Sequence, residues 1–297
     1  MPWYELTDAK DPKLDELAKQ YNLHPLHLED ARTDDERIKV DQTAHYTFAV
    51  LKPLKLTPEQ AGKAGSVTFS TIDIFAGVHE GEPFFITIAD PNCPTTEQAL
   101  ERARREGSDA RPGRLLYLIL DTIVDLYFPG IDYYDECIDS LEDRVIAQPE
   151  PDTLQKVFAL KRDLVDLRRV LVGTRDATLH LQRDPESIVD AEHQPFVRDV
   201  YDHVVRLLDS VETQRDLVNN ALDIYLSSVA NRTNEVMKVL TVLGTIVLPV
   251  IAISGVYGMN VKGLPFEDSP HGALYVAGLT AVVTVALLVF LKKRKWF

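Results

Sequence analysis

The run VLTVLGTIVLPVIAISGVYGMN, Val239 to Asn260, decides the fold. No charged side chain occurs from Val239 to Val261. About twenty apolar residues in a helix rise roughly 30 Å, the thickness of a bilayer's hydrocarbon core. A second charge-free run, Ala273 to Leu291, follows after a short loop. Two membrane spans therefore stand at the C-terminal end, behind one large water-soluble body.

The composition fits that division. The 297 residues carry a formal net charge of -14. The tail Lys292-Lys293-Arg294-Lys295 is basic, so the body in front of the spans is more acidic than the total suggests. The basic footprint of a nucleic-acid binder is missing, and nucleic acid is not an expected partner. An acidic body suits solubility and also suits cations. Cys93 and Cys137 are far apart, which gives neither a disulfide framework nor a zinc-ligand pair. Met1 to Asp11 has no apolar core segment of the secretory kind, so the body is expected to stay where it is made. Four adjacent basic residues after the second span, against one in the inter-span loop, place the tail in the cytoplasm. Two spans then put the N-terminal body there too, and the loop outside.

The body begins with a strand at Trp3–Leu6 and a helix at Lys13–Tyr21, where Leu14, Leu17 and Ala18 share a face. A short helix starts at His24-Pro25-Leu26. Ile38–Val40, Tyr46–Leu51, Val67–Val78 and Phe84–Ala89 read as strands between Gly and Pro breakers. Thr96–Arg105 reads as a helix. The sum is an α+β body: a mixed or largely antiparallel sheet with helices on both sides. From Arg114 long helices take over: Leu115–Phe128, with Asp121 and Asp125 one turn apart, Ile131–Ala147, and Thr153–Arg175. After a break at Asp184-Pro185, Phe196 to Val256 holds no proline before Pro249 and no glycine before Gly244. That predicts one helix of about sixty residues, roughly 90 Å long, continuing into the first span. The expected parts are 1–113, an α/β portion; 114–195, a long-helix portion; 196–238, a stalk; and 239–297, the membrane region. The spans are expected at about 239–257 and 272–291, with an outer loop at 258–271 and a tail at 292–297.

Along the long helix, Asn234, Met237, Thr241, Gly244, Leu248, Ile251 and Gly255 follow alternating steps of three and four. This is the seam that faces the axis of a helix bundle. Periodicity alone fits an ordinary helix–helix contact, in which Gly and Thr favour close approach, as well as it fits a pore wall.

Tyr257-Gly258-Met259-Asn260 after a first span, a short acidic loop, a second span and a basic tail resemble the CorA family of divalent-cation channels. Tyr225-Leu226-Ser227-Ser228, the run from Asn234 to Leu240, and Val200-Tyr201-Asp202-His203 are similar to that family's pattern as well. The resemblance covers nearly the whole chain, most closely from about Phe196 onward, with an N-terminus shorter than in many relatives. It implies a homopentameric funnel whose long helix lines the pore, with hydrophobic rings at Met237, Leu240 and Leu248. Such rings gate by dewetting. Ile251 stands where some relatives carry a polar Thr.

The resemblance also implies that Gly258, Met259 and Asn260 form the outer mouth. Mg²⁺ prefers an octahedral oxygen shell and gives up water reluctantly. A neutral ring of Asn260 amides can hydrogen-bond the ion's hydration waters without trapping it as carboxylates would. Gly258 allows a tight turn, although Gly and Asn serve equally as a helix C-cap. Glu267 and Asp268 in the outer loop either concentrate cations or are simply solvated. In the cytoplasm the resemblance points to Glu29, Asp30, Asp121, Asp199 and Asp202 as acids that meet between subunits. There they would bind Mg²⁺ that holds the pore closed. On charge alone, solvated helix acids explain the same residues.

The expected function is membrane-potential-driven Mg²⁺ uptake across the cytoplasmic membrane, with Mg²⁺ both transported and regulatory and the lipid bilayer and further copies of the chain as partners. A Zn²⁺, Co²⁺ or Ni²⁺ transporter of the same superfamily is the alternative. Other classes are a membrane-anchored metal-dependent enzyme, for which no paired His/Asp motif exists, and a tethered sensor without conductance. No GxxxxGK[ST] phosphate loop is present, and an enzyme is not expected.

Overall fold

The computed structural model describes residues 1–33, 37–55, 67–106, 111–147, 150–183, 188–259, 262–266 and 269–294. The expected break at Asp184-Pro185 lies outside them. The first half alternates strands and short helices: β1 (Trp3–Leu6), α1 (Pro12–Gln20), α2 (Pro25–Ala31), β2 (Lys39–Gln42), β3 (Tyr46–Leu51), β4 (Ile72–His79), β5 (Glu82–Ala89) and α3 (Pro94–Arg105). The second half is helical: α4 (Pro112–Asp125), α5 (Tyr127–Ala147), α6 (Pro151–Arg183), α7 (Gln194–Tyr257) and α8 (Gly272–Lys293). The chain divides into two compact units, Met1–Asp223 and Ile224–Phe297.

In the first unit, proline opens α1, α2, α3 and α4, where its missing N–H has no intrahelical partner to lose. Asp11 Oδ1 accepts from the Lys13 N–H at 2.9 Å, and His24 Nδ1 accepts from the Leu26 N–H at 3.2 Å. Both side chains thereby satisfy helix-start donors. The sheet runs β1-β5-β4-β3-β2. β2, β3, β4 and β5 pair antiparallel, and β1 joins β5 in parallel. Glu80 and Gly81 turn β4 into β5 with φ of 52° and 85°, the paired positive values a two-residue hairpin needs.

Every residue of β3 is buried, so helices cover both faces of the sheet. On one face Tyr46, Phe48, Phe75, Phe84 and Ile86 pack with Leu14, Leu17 and Tyr21 of α1. α4 packs on β4 and β5, and Leu115 to Leu120 are all buried. Residues 67–71 do not extend β4 as expected. They pair with the residues just after β3 through a Leu54–Phe69 bridge. α7 buries Val197, Val200, Val204, Leu207, Val211, Gln214, Val218 and Ala221, a strict alternation of three and four. The Gln214 Nε2 donates there to the Ile131 carbonyl at 2.9 Å and to Asp135 at 2.7 Å, while its Oε1 is buried without a hydrogen-bond partner.

The second unit holds the C-terminal part of α7, the inter-span loop and α8. Both helices are long and apolar enough to cross a membrane, and almost none of either apolar stretch is covered within the chain. α7 stays helical through Pro249, which removes the donor that the Thr245 carbonyl would otherwise meet. The loop is tied back at two points. The Tyr257 hydroxyl donates to the Pro265 carbonyl at 2.9 Å, and Phe266 packs against Tyr275 with ring centroids 5.3 Å apart. A side chain at Gly272 would put its Cβ 2.4 Å from the Phe266 carbonyl oxygen, so only glycine lets the loop enter α8 this way.

Phe48 of β3 is fully buried, its ring tilted against Phe75 with centroids 4.7 Å apart. Phe48→Ala is expected to cost about 3–5 kcal/mol of stability. Denaturant unfolding followed by Trp3 fluorescence measures it, and a cost below about 1 kcal/mol would mean that the face is not packed as described.

Candidate functional site

The expected seam lies on the second unit's part of α7. Leu248 is 72% exposed and Met237 55%, figures that water alone would penalise. Asn234, Leu240, Gly244, Ile251 and Gly255 are exposed with them, and Thr241 is half-buried. A Cβ at Gly244 or Gly255 would meet nothing within 4 Å. Their smallness therefore serves no contact inside the chain. The Thr241 hydroxyl donates to the Met237 carbonyl at 2.8 Å, which turns its proton inward and leaves its lone pairs outward. Asn234, Met237 and Thr241 line a cleft of about 730 Å³ together with Glu235, Lys238 and Arg294 of α8.

At the expected mouth, the Gly258 N–H donates to the Ser254 carbonyl at 2.8 Å and the Met259 N–H to Val256 at 3.3 Å. Gly258 is not among the residues with positive φ, so α7 ends there without a left-handed turn. Asn260, Glu267 and Asp268 lie outside the described residues.

The expected regulatory acids fall into two groups. Asp30 ends α2, and its carboxylate accepts from Lys39 Nζ at 2.6 Å. Lys39 also lies 3.4 Å from Asp41, and His27 Nε2 is 3.7 Å from the same carboxylate. Glu29, beside Asp30, is exposed. The second group joins α3, α4 and α7. Arg102 stands 2.8 Å from Asp121 and 3.7 Å from Asp125. His203 stands 3.7 Å from Asp125 and 3.6 Å from Asp199. Asp202 is exposed on the same turn.

Burial, and next the Asp125 carboxylate, push the Asp121 carboxyl above its ordinary value, against the opposing charge of Arg102. Among the described residues, no three His, Cys, Asp or Glu side chains come together as a metal site. The chain thus presents oxygen donors, mostly on its surface, without assembling them by itself. Sequence reasoning did not find Lys39, Arg102 or His203 as partners of these acids. Only the pairing of His203 one turn after Asp199 carried a local signal, since i and i+4 share a helix face.

A family model described as "CorA-like Mg2+ transporter protein" matches residues 1–293. The cobalt/magnesium transport protein CorA of Thermotoga maritima is 36% identical over 308 residues, covering 99% of this chain and 83% of that protein. A protein of the same name from Methanocaldococcus jannaschii is 24% identical, covering 99% and 90%. The solved complete structure of the CorA magnesium transporter from Methanocaldococcus jannaschii is similar with a TM-score of 0.83 and 25% identity. It covers 99% of this chain and 91% of that one.

Arg102 also donates to the Thr122 hydroxyl at 3.1 Å, so its loss strands more than one group. A folded-state carboxyl value above the unfolded one means that ionisation opposes the fold. Stability is then fullest at low pH and declines as pH rises through the folded value. Arg102→Gln is expected to cost about 1–3 kcal/mol near pH 7.5, where Asp121 is left charged and buried. The cost should shrink as pH falls and Asp121 takes up a proton. Denaturation at neutral and at lower pH tests this, and an equal cost at each would show that the guanidinium does not compensate that carboxylate.

Proposed function

The chain belongs to the CorA-like Mg²⁺ transporter family, and on that premise we propose that it is a homopentameric Mg²⁺ channel of the cytoplasmic membrane. The observation that carries this reading is the exposed apolar seam of α7 from Met237 to Ile251 in a chain of this family. Five copies facing a common axis would cover that seam and leave the outer flanks to α8 and lipid. Both termini are cytoplasmic in this reading, because the basic tail follows the second span. Residues 1–113 and 114–195 form the cytoplasmic body, 196–238 the stalk, and 239–297 the membrane region.

The pore would work in three stages. Rings of Asn260, with Gly258 and Met259, receive hydrated Mg²⁺ at the outer mouth, and Glu267 and Asp268 raise its local concentration. The seam of Asn234, Met237, Leu240, Thr241, Gly244, Leu248, Ile251 and Gly255 forms the path. Met237, Leu240 and Leu248 close it by excluding water. From Val236 to Val256 the wall holds no histidine or thiol, the ligands a Zn²⁺ site prefers, which suits Mg²⁺ better than Zn²⁺. An inside-negative potential supplies about 2.3 kcal/mol per charge per 100 mV, and about twice that for a divalent ion. No nucleotide motor is needed.

Regulation would use the hard oxygen donors of the body. Asp30 and Asp199, with Glu29 and Asp202, suit Mg²⁺ chemically, and one chain does not bring three of them together. Meeting across a subunit boundary is what completes the site. Asp121, held by Arg102, which also reaches Asp125, contributes through His203, which stands between Asp125 and Asp199. Asp199 and the gate residues share α7, so ordering at the acids reaches the pore through one helix. A cation bridging two subunits stabilises the closed state only by its preference for that state.

Flux into proteoliposomes with Mg²⁺, Co²⁺ and Zn²⁺ in turn tests the proposal. Mg²⁺ flux that Zn²⁺ cannot replace is expected, and Zn²⁺ flux without Mg²⁺ flux would overturn it. Asn260→Ala should abolish Mg²⁺ flux while leaving the assembly intact on size-exclusion chromatography. Normal flux would remove Asn260 from the mouth. Leu248→Asn or Met237→Asn should conduct at internal Mg²⁺ levels that shut the parent, because a polar ring stays wet. Reduced flux in the same assay would contradict a hydrophobic gate at that position.

A further inference from the structure

Lys39 is the first residue of the edge strand β2, opposite Val50 of β3. Its ammonium lies 2.6 Å from Asp30, 3.4 Å from Asp41 and 5.7 Å from the centroid of the Phe48 ring. The side chains of Lys39 and Asp30 are only 26% and 24% exposed, so water screens their attraction less than at an open surface. Both are also anchored. The Tyr46 hydroxyl accepts from the His24 N–H at 2.7 Å and lies 2.9 Å from His27 Nδ1, which fixes α2 to β3. Ile38, next to Lys39, packs against Gly173 of α6, where an added Cβ would come within 3.0 Å.

This arrangement bears on the regulatory acids proposed above, and the inference rests on that reading. A carboxylate that already holds an ammonium is not a vacant ligand. A divalent ion at Asp30 must move Lys39 aside. The ammonium has somewhere to go, because Asp41 and the Phe48 face are already close to it. Lysine suits such an exchange: it is a point charge on a flexible stem, whereas a guanidinium would lock onto the carboxylate with two parallel bonds.

We propose that Lys39 is a tethered competitor of the divalent cation at Asp30. Its ammonium sits on the carboxylate when the ion is absent and turns to Asp41 and Phe48 when the ion binds. Lys39 thereby sets the Mg²⁺ concentration at which the site fills. Without it, Asp30 and Asp41 would form a more negative pocket that takes the ion more readily and releases it less readily.

The test uses the full chain in detergent, with Mg²⁺-dependent protection from limited proteolysis and Mg²⁺-dependent Tm as readouts. Lys39→Met keeps the stem and removes the charge, and should lower the midpoint Mg²⁺ concentration by roughly three- to fivefold. Asp41→Asn removes the alternative seat and should raise the midpoint. A merely structural role for the pair would move both variants the same way. Lys39→Arg should not lower the midpoint. An unchanged or raised midpoint in Lys39→Met, with Asp30→Asn still weakening the Mg²⁺ response, overturns the competitor and leaves the acid site standing. An Mg²⁺ response that Asp30→Asn does not alter removes the acid site and the competitor together. Should Lys39→Met not fold, the direction of the Asp41→Asn shift decides: a lowered or unchanged midpoint there contradicts the exchange.

Discussion

Beyond Ile224, α7 and α8 leave their apolar side chains uncovered, with Leu240, Leu248 and Val282 each more than 60% exposed. Water penalises such a surface at about 25 cal/mol per Å². In the proposed assembly, lipid would remove that penalty on the outside of the helix bundle and copies of the same helix would remove it between subunits. Every functional feature of the second unit follows from how this surface is shared. Gly244 and Gly255 have no close neighbour within the chain, so their small size matters only once other helices approach. The Thr241 and Thr245 hydroxyls bond to carbonyls of their own helix, which lets them sit among apolar residues without an unmet proton.

Electrostatics in the first unit temper a simple picture of repelling acids. Three of the five expected regulatory carboxylates stand beside a cationic or titratable partner in their own chain: Asp30 beside Lys39, Asp121 beside Arg102, and Asp199 beside His203. Neither Asp30 nor Asp121 is a bare carboxylate within its own chain. On the exchange proposed above, an ion reaching Asp30 would have to displace an internal cation. Glu29, Asp202 and the 68%-exposed Asp199 remain the groups most open to an ion from outside the chain.

Much of this architecture was legible before any coordinates. The absence of charge from Val239 to Val261 and of Gly and Pro before Gly244 fixed the spans and the long helix, expected at Phe196–Val256 and found at Gln194–Tyr257. The β-branched and aromatic runs between Gly and Pro breakers marked the strands, although β3 and most of β4 and β5 are buried continuously rather than at alternate residues. The parallel pairing of β1 with β5 was not legible, since register and direction between distant strands depend on the whole sheet. Nor was the continuation of α6 to Arg183, past the expected Arg175. The acids themselves stood out, yet their cations did not. Arg102 reaches Asp121 from another helix, and Lys39 reaches Asp30 from a strand. Such contacts are made by tertiary packing and leave no periodic trace.

The pore-wall role of α7 is tested most directly by cysteine accessibility. Single cysteines from position 234 to 255, in a protein with Cys93 and Cys137 replaced by Ser, would be exposed to a membrane-impermeant thiol reagent in liposomes. Reactivity should peak at 234, 237, 240, 241, 244, 248, 251 and 255, and should fall at the Met237, Leu240 and Leu248 positions when Mg²⁺ closes the channel. Uniform protection of those positions, or a peak on the opposite face of the helix, would contradict a water-filled path along this seam.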